Sequence, residues 1–90
     1  MRRAVAVRVT GRVQGVWYRG WAQGEARRLG LRGWVGNRPD GSVAAVLAGP
    51  EAAVAAMLEA MRRGPPEARV AGVEVTEATD EGWAGFEVRR

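Results

Sequence analysis

Two kinds of hydrophobic spacing succeed each other along the first third of the chain. Near the N-terminus, apolar residues recur at every second position, the period of a half-buried strand; they are Val5, Val7 and Val9. Past residue 19 the apolar positions follow a helical period instead, and two arginines followed by Gly30 mark a helix end. The pattern predicts a strand over about residues 4–10 and a helix over about residues 20–29.

The middle and the end of the chain predict five more elements. Residues 31–37 and 42–48 have strand character, and the turn residues 38–41 between them indicate a hairpin. A second helix opens at Pro50 and stops before Gly64. Its apolar stripe consists of Val54, Met57, Leu58 and Met61. Two further strands follow around Val70, Val73 and Val75 and around Phe86 and Val88.

The first six elements follow the order β-α-β-β-α-β, the order of a split β-α-β unit, and a short fifth strand comes after them. This order predicts an α+β fold, a ferredoxin-like sandwich in which an antiparallel sheet carries two helices on one face. Ninety residues suffice for one hydrophobic core, so a single domain over residues 1–90 is expected. Many functions share this architecture, so function depends on particular residues.

The composition excludes most familiar catalytic groups. The chain contains no Cys, His or Lys, and its 14 basic residues are all Arg. Thiolate nucleophiles, zinc–thiolate sites, Ser-His-Asp triads and lysine Schiff bases are therefore excluded. The formal net charge of +4 favours anionic partners. No apolar run is long enough to span a membrane and no export signal opens the chain, so a cytoplasmic protein without a membrane partner is expected.

The segment between the first strand and the first helix carries the clearest chemistry. Gly11 and Gly15 lie within it, and Arg19 stands at its end. Backbone N–H groups at a helix N-terminus are unpaired and partly positive, and Gly15 allows close approach of the backbone to an anion. Arg19 can add a planar, bidentate donor. On these residues alone, an oxyanion site and a plain turn beside a surface arginine both remain open.

Asn37, the only asparagine, ends the second predicted strand. An Asn at this place often bonds only the nearby backbone. Its amide holds both a donor and an acceptor, so it can alternatively position a water molecule against a bound anion.

Residues 9–19, VTGRVQGVWYR, closely resemble the first signature of the acylphosphatases, and residues 33–37, GWVGN, resemble the second. The resemblance covers essentially the whole chain. It implies hydrolysis of acyl phosphates to a carboxylate and inorganic phosphate, without metal, cofactor or covalent phosphoenzyme. By this resemblance Arg19 binds the phosphate, Asn37 orients the water, and the phosphate-binding loop whose amides hold the phosphoryl oxygens is Gln14, Gly15, Val16, Trp17 and Tyr18.

Two positions depart from the family pattern. Tyr18 stands where Phe or Met is usual, which can alter packing beneath the loop, and Gly36 stands where a bulkier residue is common, which can loosen the strand near Asn37. Of the adjacent Trp17 and Tyr18, one is expected to pack under the loop and the other is free to contact an acyl group.

Two other functions compete with the enzyme. A ferredoxin-like RNA-binding module would stack bases on aromatic residues of its central strands, and the first and third strands offer none. A domain that binds a phosphorylated ligand without turnover would not need a water-positioning amide, which Asn37 supplies. The expected partner is a small acyl phosphate, with no nucleic acid, and a monomer is predicted.

Overall fold

The computed structural model describes residues 1–89 as one five-stranded sheet covered by two helices. The elements are β1 Arg2–Arg12, α1 Tyr18–Arg28, β2 Arg32–Asn37, β3 Val43–Pro50, α2 Glu51–Arg63, β4 Arg69–Glu77 and β5 Phe86–Arg89. This order and the two-helix arrangement confirm the predicted ferredoxin-like α+β fold.

The strand order across the sheet is β4-β1-β3-β2-β5. The first four strands pair antiparallel, whereas β5 pairs parallel with β2, from Gly33 beside Phe86 to Gly36 beside Arg89. The expectation of a purely antiparallel sheet was therefore wrong at this edge. The reason is the connection: residues 78–85 cross the end of the sheet where β4 finishes, so β5 starts at that end and runs opposite to β4, as β2 does.

Alternation along the strands separates a buried face from an open one. The core lies between the helices and the side chains that face them; from the sheet these are Val5, Val7, Val9, Val35, Val43, Ala45, Leu47 and Phe86. The second helix contributes Val54, Met57 and Met61 as predicted, with Leu58 partly buried. The opposite face carries Arg8, Trp34 and Glu74. No helix among residues 1–89 is both long and apolar enough to cross a membrane.

Strand β1 and helix α1 both extend into the segment that the pattern left between them. Strand β1 runs from Arg2 to Arg12 because it has partners on both sides, β3 at its start and β4 at its end. Helix α1 begins at Tyr18 rather than Gly20, so only residues 13–17 separate it from β1. The short connection brings the start of the helix to the sheet end at which Asn37 closes β2.

Candidate anion-binding site at the start of helix α1

The connection between β1 and α1 is a turn held open by positive backbone angles. Gly15 has φ of 74°, and Trp17, the residue before the helix, has φ of 67°. Within residues 1–89, none of the backbone N–H groups from Gln14 to Gly20 donates to a protein acceptor. A succession of unpaired N–H groups at a helix N-terminus forms a partly positive concavity suited to an oxyanion.

A cavity of about 290 Å³ opens beside this turn. Its walls are Val13, Gly15, Trp17, Tyr18, Arg19, Gly20, Asn37 and Val88. The two residues to which the sequence assigned chemistry, Arg19 and Asn37, thus line one cavity although 18 positions separate them. The described residues contain no group of three Asp or Glu side chains able to share a metal ion. The donors around the cavity are a guanidinium, an amide and backbone N–H groups, a set suited to an anion.

Arg19 lies in the first turn of α1 and is held from the far edge of the sheet. Its Nη1 donates a hydrogen bond of 3.1 Å to the main-chain oxygen of Arg89 in β5. Within residues 1–89 no carboxylate lies within ion-pair distance of Arg19. The guanidinium therefore keeps further donors for an oxyanion, with its orientation fixed by a neutral carbonyl.

Asn37 is fixed through its backbone and free at its side chain. It ends β2 opposite Val43 and is half-buried. Its amide side chain makes no hydrogen bond to any group of residues 1–89. The alternative prediction, in which the Asn37 side chain hydrogen-bonds only the nearby backbone, therefore does not hold for these residues. An amide free at the cavity wall can donate to one ligand and accept from another.

In the loop, the backbone of Gln14 and Val16 is available to an anion, whereas their side chains contact the protein. Gln14 does not turn its side chain to the cavity, because its Nε2 donates to the carbonyls of Arg38 and Ser42, both at 2.8 Å. Val16 is buried. Both residues can therefore offer an anion only their backbone N–H groups. The side chain of Gln14 ties the loop to the β2–β3 hairpin, and so to the strand that carries Asn37.

Tyr18 is the member of the aromatic pair that packs beneath the loop. It is 1% exposed, meets Trp21 edge to face at 5.3 Å, and its hydroxyl donates to the carbonyl of Met61 at 2.7 Å. Burial raises the pKa of Tyr18 above its usual 10.0, so the hydroxyl stays a donor. The departure from the family pattern at this position thus adds a hydrogen bond between α1 and α2.

The hairpin turn after Asn37 is held by hydrogen bonds to Asp40. The Asp40 carboxylate accepts hydrogen bonds from the backbone and hydroxyl of Ser42 at 2.9 and 2.6 Å, and from Arg8 at 2.8 Å. These donors, Arg8 foremost, hold the pKa of Asp40 well below its usual 3.8. The carboxylate is therefore ionised and engaged in the turn, where Arg8 balances its charge.

Two contributors to the site were missed by sequence reasoning. Val88 lines the cavity and the main chain of Arg89 holds Arg19, and both belong to β5. The pattern did indicate a strand at Phe86 and Val88. It held no signal for the strand's partner, because pairing between β5 and β2 joins segments about fifty residues apart in sequence.

Comparison with known proteins agrees with this geometry. Residues 5–88 match the family model described as acylphosphatase. An acylphosphatase of Rhizobium meliloti is 56% identical over 90 residues, covering 99% of this chain and 95% of that protein. The crystal structure of acylphosphatase from Bacillus subtilis superposes with a TM-score of 0.95 at 40% identity over all of both chains. An acylphosphatase from Coxiella burnetii gives 0.94 at 35% identity, covering 98% of this chain and 93% of that one.

Proposed function

Since the chain belongs to the acylphosphatase family, we propose that its activity is carried out in the cavity between Arg19 and Asn37. The enzyme hydrolyses the carboxyl–phosphate anhydride bond of acyl phosphates, giving a carboxylate and inorganic phosphate. The observation that carries the assignment of the site is the meeting of three features at one cavity. Among residues 1–89 these are backbone N–H groups without a protein acceptor, a guanidinium without an acidic partner and an amide side chain without a hydrogen bond.

The phosphoryl group binds in the concavity of the loop. Backbone N–H groups from Gln14 to Tyr18 donate to its oxygens, and Gly15 lets the main chain come close. Arg19 donates from one side while the carbonyl of Arg89 fixes its plane. Charge on the equatorial oxygens is stabilised where it develops, so positioning and electrostatics supply most of the catalysis.

Asn37 orients the attacking water. The amide oxygen accepts a hydrogen bond from the water and the amide nitrogen donates one to a phosphoryl oxygen, which places the water oxygen against phosphorus. The new P–O bond forms as the bond from phosphorus to the acyl oxygen breaks. One water proton moves to a phosphoryl oxygen and the other stays on the entering oxygen, so the dianionic substrate yields a carboxylate and dihydrogen phosphate. This balance requires no general base, metal or cofactor from the protein.

The rate of benzoyl phosphate hydrolysis in the presence of EDTA tests the proposal. The unaltered enzyme is expected to turn over. Arg19→Ala should lose both inorganic phosphate binding and turnover, because one group serves both. Asn37→Ala should keep phosphate binding and lose about 10²-fold in kcat, roughly 3 kcal/mol of transition-state stabilisation.

The matched control for these variants is Arg62→Ala, which removes an exposed arginine from the last turn of α2. It lowers the net charge as Arg19→Ala does, so it separates loss of charge from loss of the site. Comparable activity in Asn37→Ala would contradict the water-positioning role. Activity abolished by EDTA would contradict a metal-free reaction.

The proposed enzyme acts as a monomer of one domain on a small-molecule substrate. Sedimentation at the concentration of the assay tests the monomer. A cytoplasmic location is part of the proposal, and fractionation of the producing cells tests it.

A further inference from the structure

A second opening adjoins the anion-binding cavity and shares two residues with it. It has a volume of about 410 Å³ and is lined by Gly15, Val16, Trp17, Pro65, Pro66 and Glu67. Gly15 and Trp17 also line the anion-binding cavity. We call this second opening the Trp17–Pro66 groove. The two openings are therefore neighbours on the same loop, at Gly15 and Trp17.

Trp17 adopts the left-handed backbone conformation, which residues with a side chain rarely adopt. Its φ of 67° and ψ of 22° lie in the left-handed region, where every residue with a side chain is strained, and Trp17 alone among non-glycine residues 1–89 has a positive φ. Its side chain is nonetheless 72% exposed, so packing in the core does not account for it. An exposed, strained aromatic residue at the edge of a ligand cavity indicates a functional role for the side chain.

The neighbouring helix residue accommodates the indole. A methyl group added at Gly20 would overlap the indole nitrogen of Trp17, so the ring lies close over the first turn of α1. Gly20 belongs to the anion-binding cavity as well. The indole is therefore positioned between that cavity and the groove. Trp17, Pro65 and Pro66 line the same opening, which brings an indole and two proline rings to one groove.

We propose that the Trp17–Pro66 groove receives the acyl group of the substrate and selects acyl phosphates with a planar aromatic acyl group. The proposal rests on the proposed function, since the phosphoryl group must occupy the loop first. A flat ring can stack on the indole and contact the prolines of the same groove, whereas a group as small as acetyl offers far less area to either. The groove acts on binding and orientation only, and the bonds formed and broken are those of the hydrolysis.

The test compares kcat/KM for benzoyl phosphate with kcat/KM for acetyl phosphate as a ratio within each variant. The benzoyl-to-acetyl ratio should fall roughly three- to tenfold in Trp17→Gly, as expected for the loss of one aromatic contact. Pro66→Ala should lower the ratio about twofold or more, since it removes a proline ring of the groove. Trp17→Phe should restore most of the ratio. Trp17→Gly should also unfold at a higher temperature, because glycine adopts the left-handed conformation freely.

The control is Trp83→Ala, which removes another indole, in the segment that crosses the far end of the sheet. Its ratio should equal that of the unaltered enzyme. An unchanged ratio in Trp17→Gly or in Pro66→Ala overturns the proposal, and so does an equal fall in Trp83→Ala. Failure of the proposed function is a different result: the unaltered enzyme would then hydrolyse neither substrate.

Discussion

The guanidinium of Arg19, near the start of the chain, donates a hydrogen bond to the main-chain oxygen of Arg89, 70 residues later. Arg89 is itself fixed, because it pairs beside Gly36 in β2 and its guanidinium lies 4.7 Å above the ring of Trp34. Arg19, which we propose binds the phosphoryl group, is thus oriented by the backbone of an edge strand. A carbonyl is a suitable partner because it directs one donor without neutralising the charge.

Substitution of Gly36 by alanine should disturb this relationship. A β-carbon at Gly36 would lie 3.2 Å from the oxygen of Arg89 and 3.3 Å from its β-carbon, so Arg89 must move by a few tenths of an ångström. We expect kcat/KM for benzoyl phosphate to fall about three- to tenfold. The small residue at this position therefore serves close approach of β5 rather than loosening of β2.

Gly24→Ala is the matched control for Gly36→Ala. A β-carbon at Gly24 meets nothing within 4 Å, and the residue lies inside α1. This variant should keep full activity and gain roughly 1 kcal/mol of stability, since alanine favours helix over glycine. Equal kcat/KM in both variants would show that the position of Arg89 does not affect Arg19.

Gln14→Met should separate the loop from the hairpin with little change in side-chain volume. Methionine cannot donate to the carbonyls of Arg38 and Ser42, both of which Gln14 now bonds. The loss should cost roughly 1–2 kcal/mol of stability, measured by urea unfolding. We also expect kcat to fall about tenfold, because the loop and Asn37 no longer keep one relative position. Unfolding and kcat both unchanged would contradict the tethering role.

Tyr18→Phe should destabilise the fold without removing any buried ring. The carbonyl of Met61 would lose the hydroxyl that it now accepts from at 2.7 Å, inside the core. A buried acceptor left without its donor costs about 1–3 kcal/mol, measurable as a shift of the urea midpoint. A loss below roughly 0.5 kcal/mol would mean that this hydrogen bond contributes little.

Asp80→Asn should lower stability in a way that depends on pH. Arg32 donates to Asp80 at 3.1 Å, the backbone of Gly82 donates at 2.9 Å, and these donors lower the pKa of Asp80 from 3.8 to about 2. A lowered pKa contributes stability that is complete above the unfolded value and is lost as pH falls through the folded value. The unaltered protein should therefore exceed Asp80→Asn in stability near neutral pH.

Urea unfolding of both proteins as a function of pH checks this expectation. The difference in their free energy of unfolding should shrink from about pH 4 downward and reach its minimum only below pH 2, where Asp80 becomes protonated in both states. A difference that stays constant over this range would show that the side chain at position 80 acts through packing rather than through its charge.

The elements and the main chemistry were predictable from sequence because both depend on local pattern. Each of these patterns is recognisable within a short stretch of sequence. They are the alternating valines, the helix stripe from Val54 to Met61 and the glycine loop before Arg19. The resemblance to the acylphosphatases then identified the family, which the comparisons confirm. The individual roles of Arg19 and Asn37 in catalysis stay predictions until the variants are measured.

What the sequence could not show depends on distant pairing. The parallel contact of β5 with β2 follows from the path of residues 78–85, where Arg32 holds Asp80. No periodicity encodes that path. The unusual backbone of Trp17 was equally hidden, because tryptophan is a poor choice for a left-handed conformation by local preference. Both features arise where the tertiary structure overrides local preference, and both lie at the site.

The bond from Arg19 to Arg89 also couples two equilibria. An anion that fixes the guanidinium favours the arrangement in which its other donor meets the β5 carbonyl, and so favours β5 docked on the sheet. By reciprocity, whatever frees β5 must weaken anion affinity by the same factor. Binding of an anion to the loop of residues 13–17 should therefore slow amide hydrogen exchange in residues 86–89, at the opposite end of the chain.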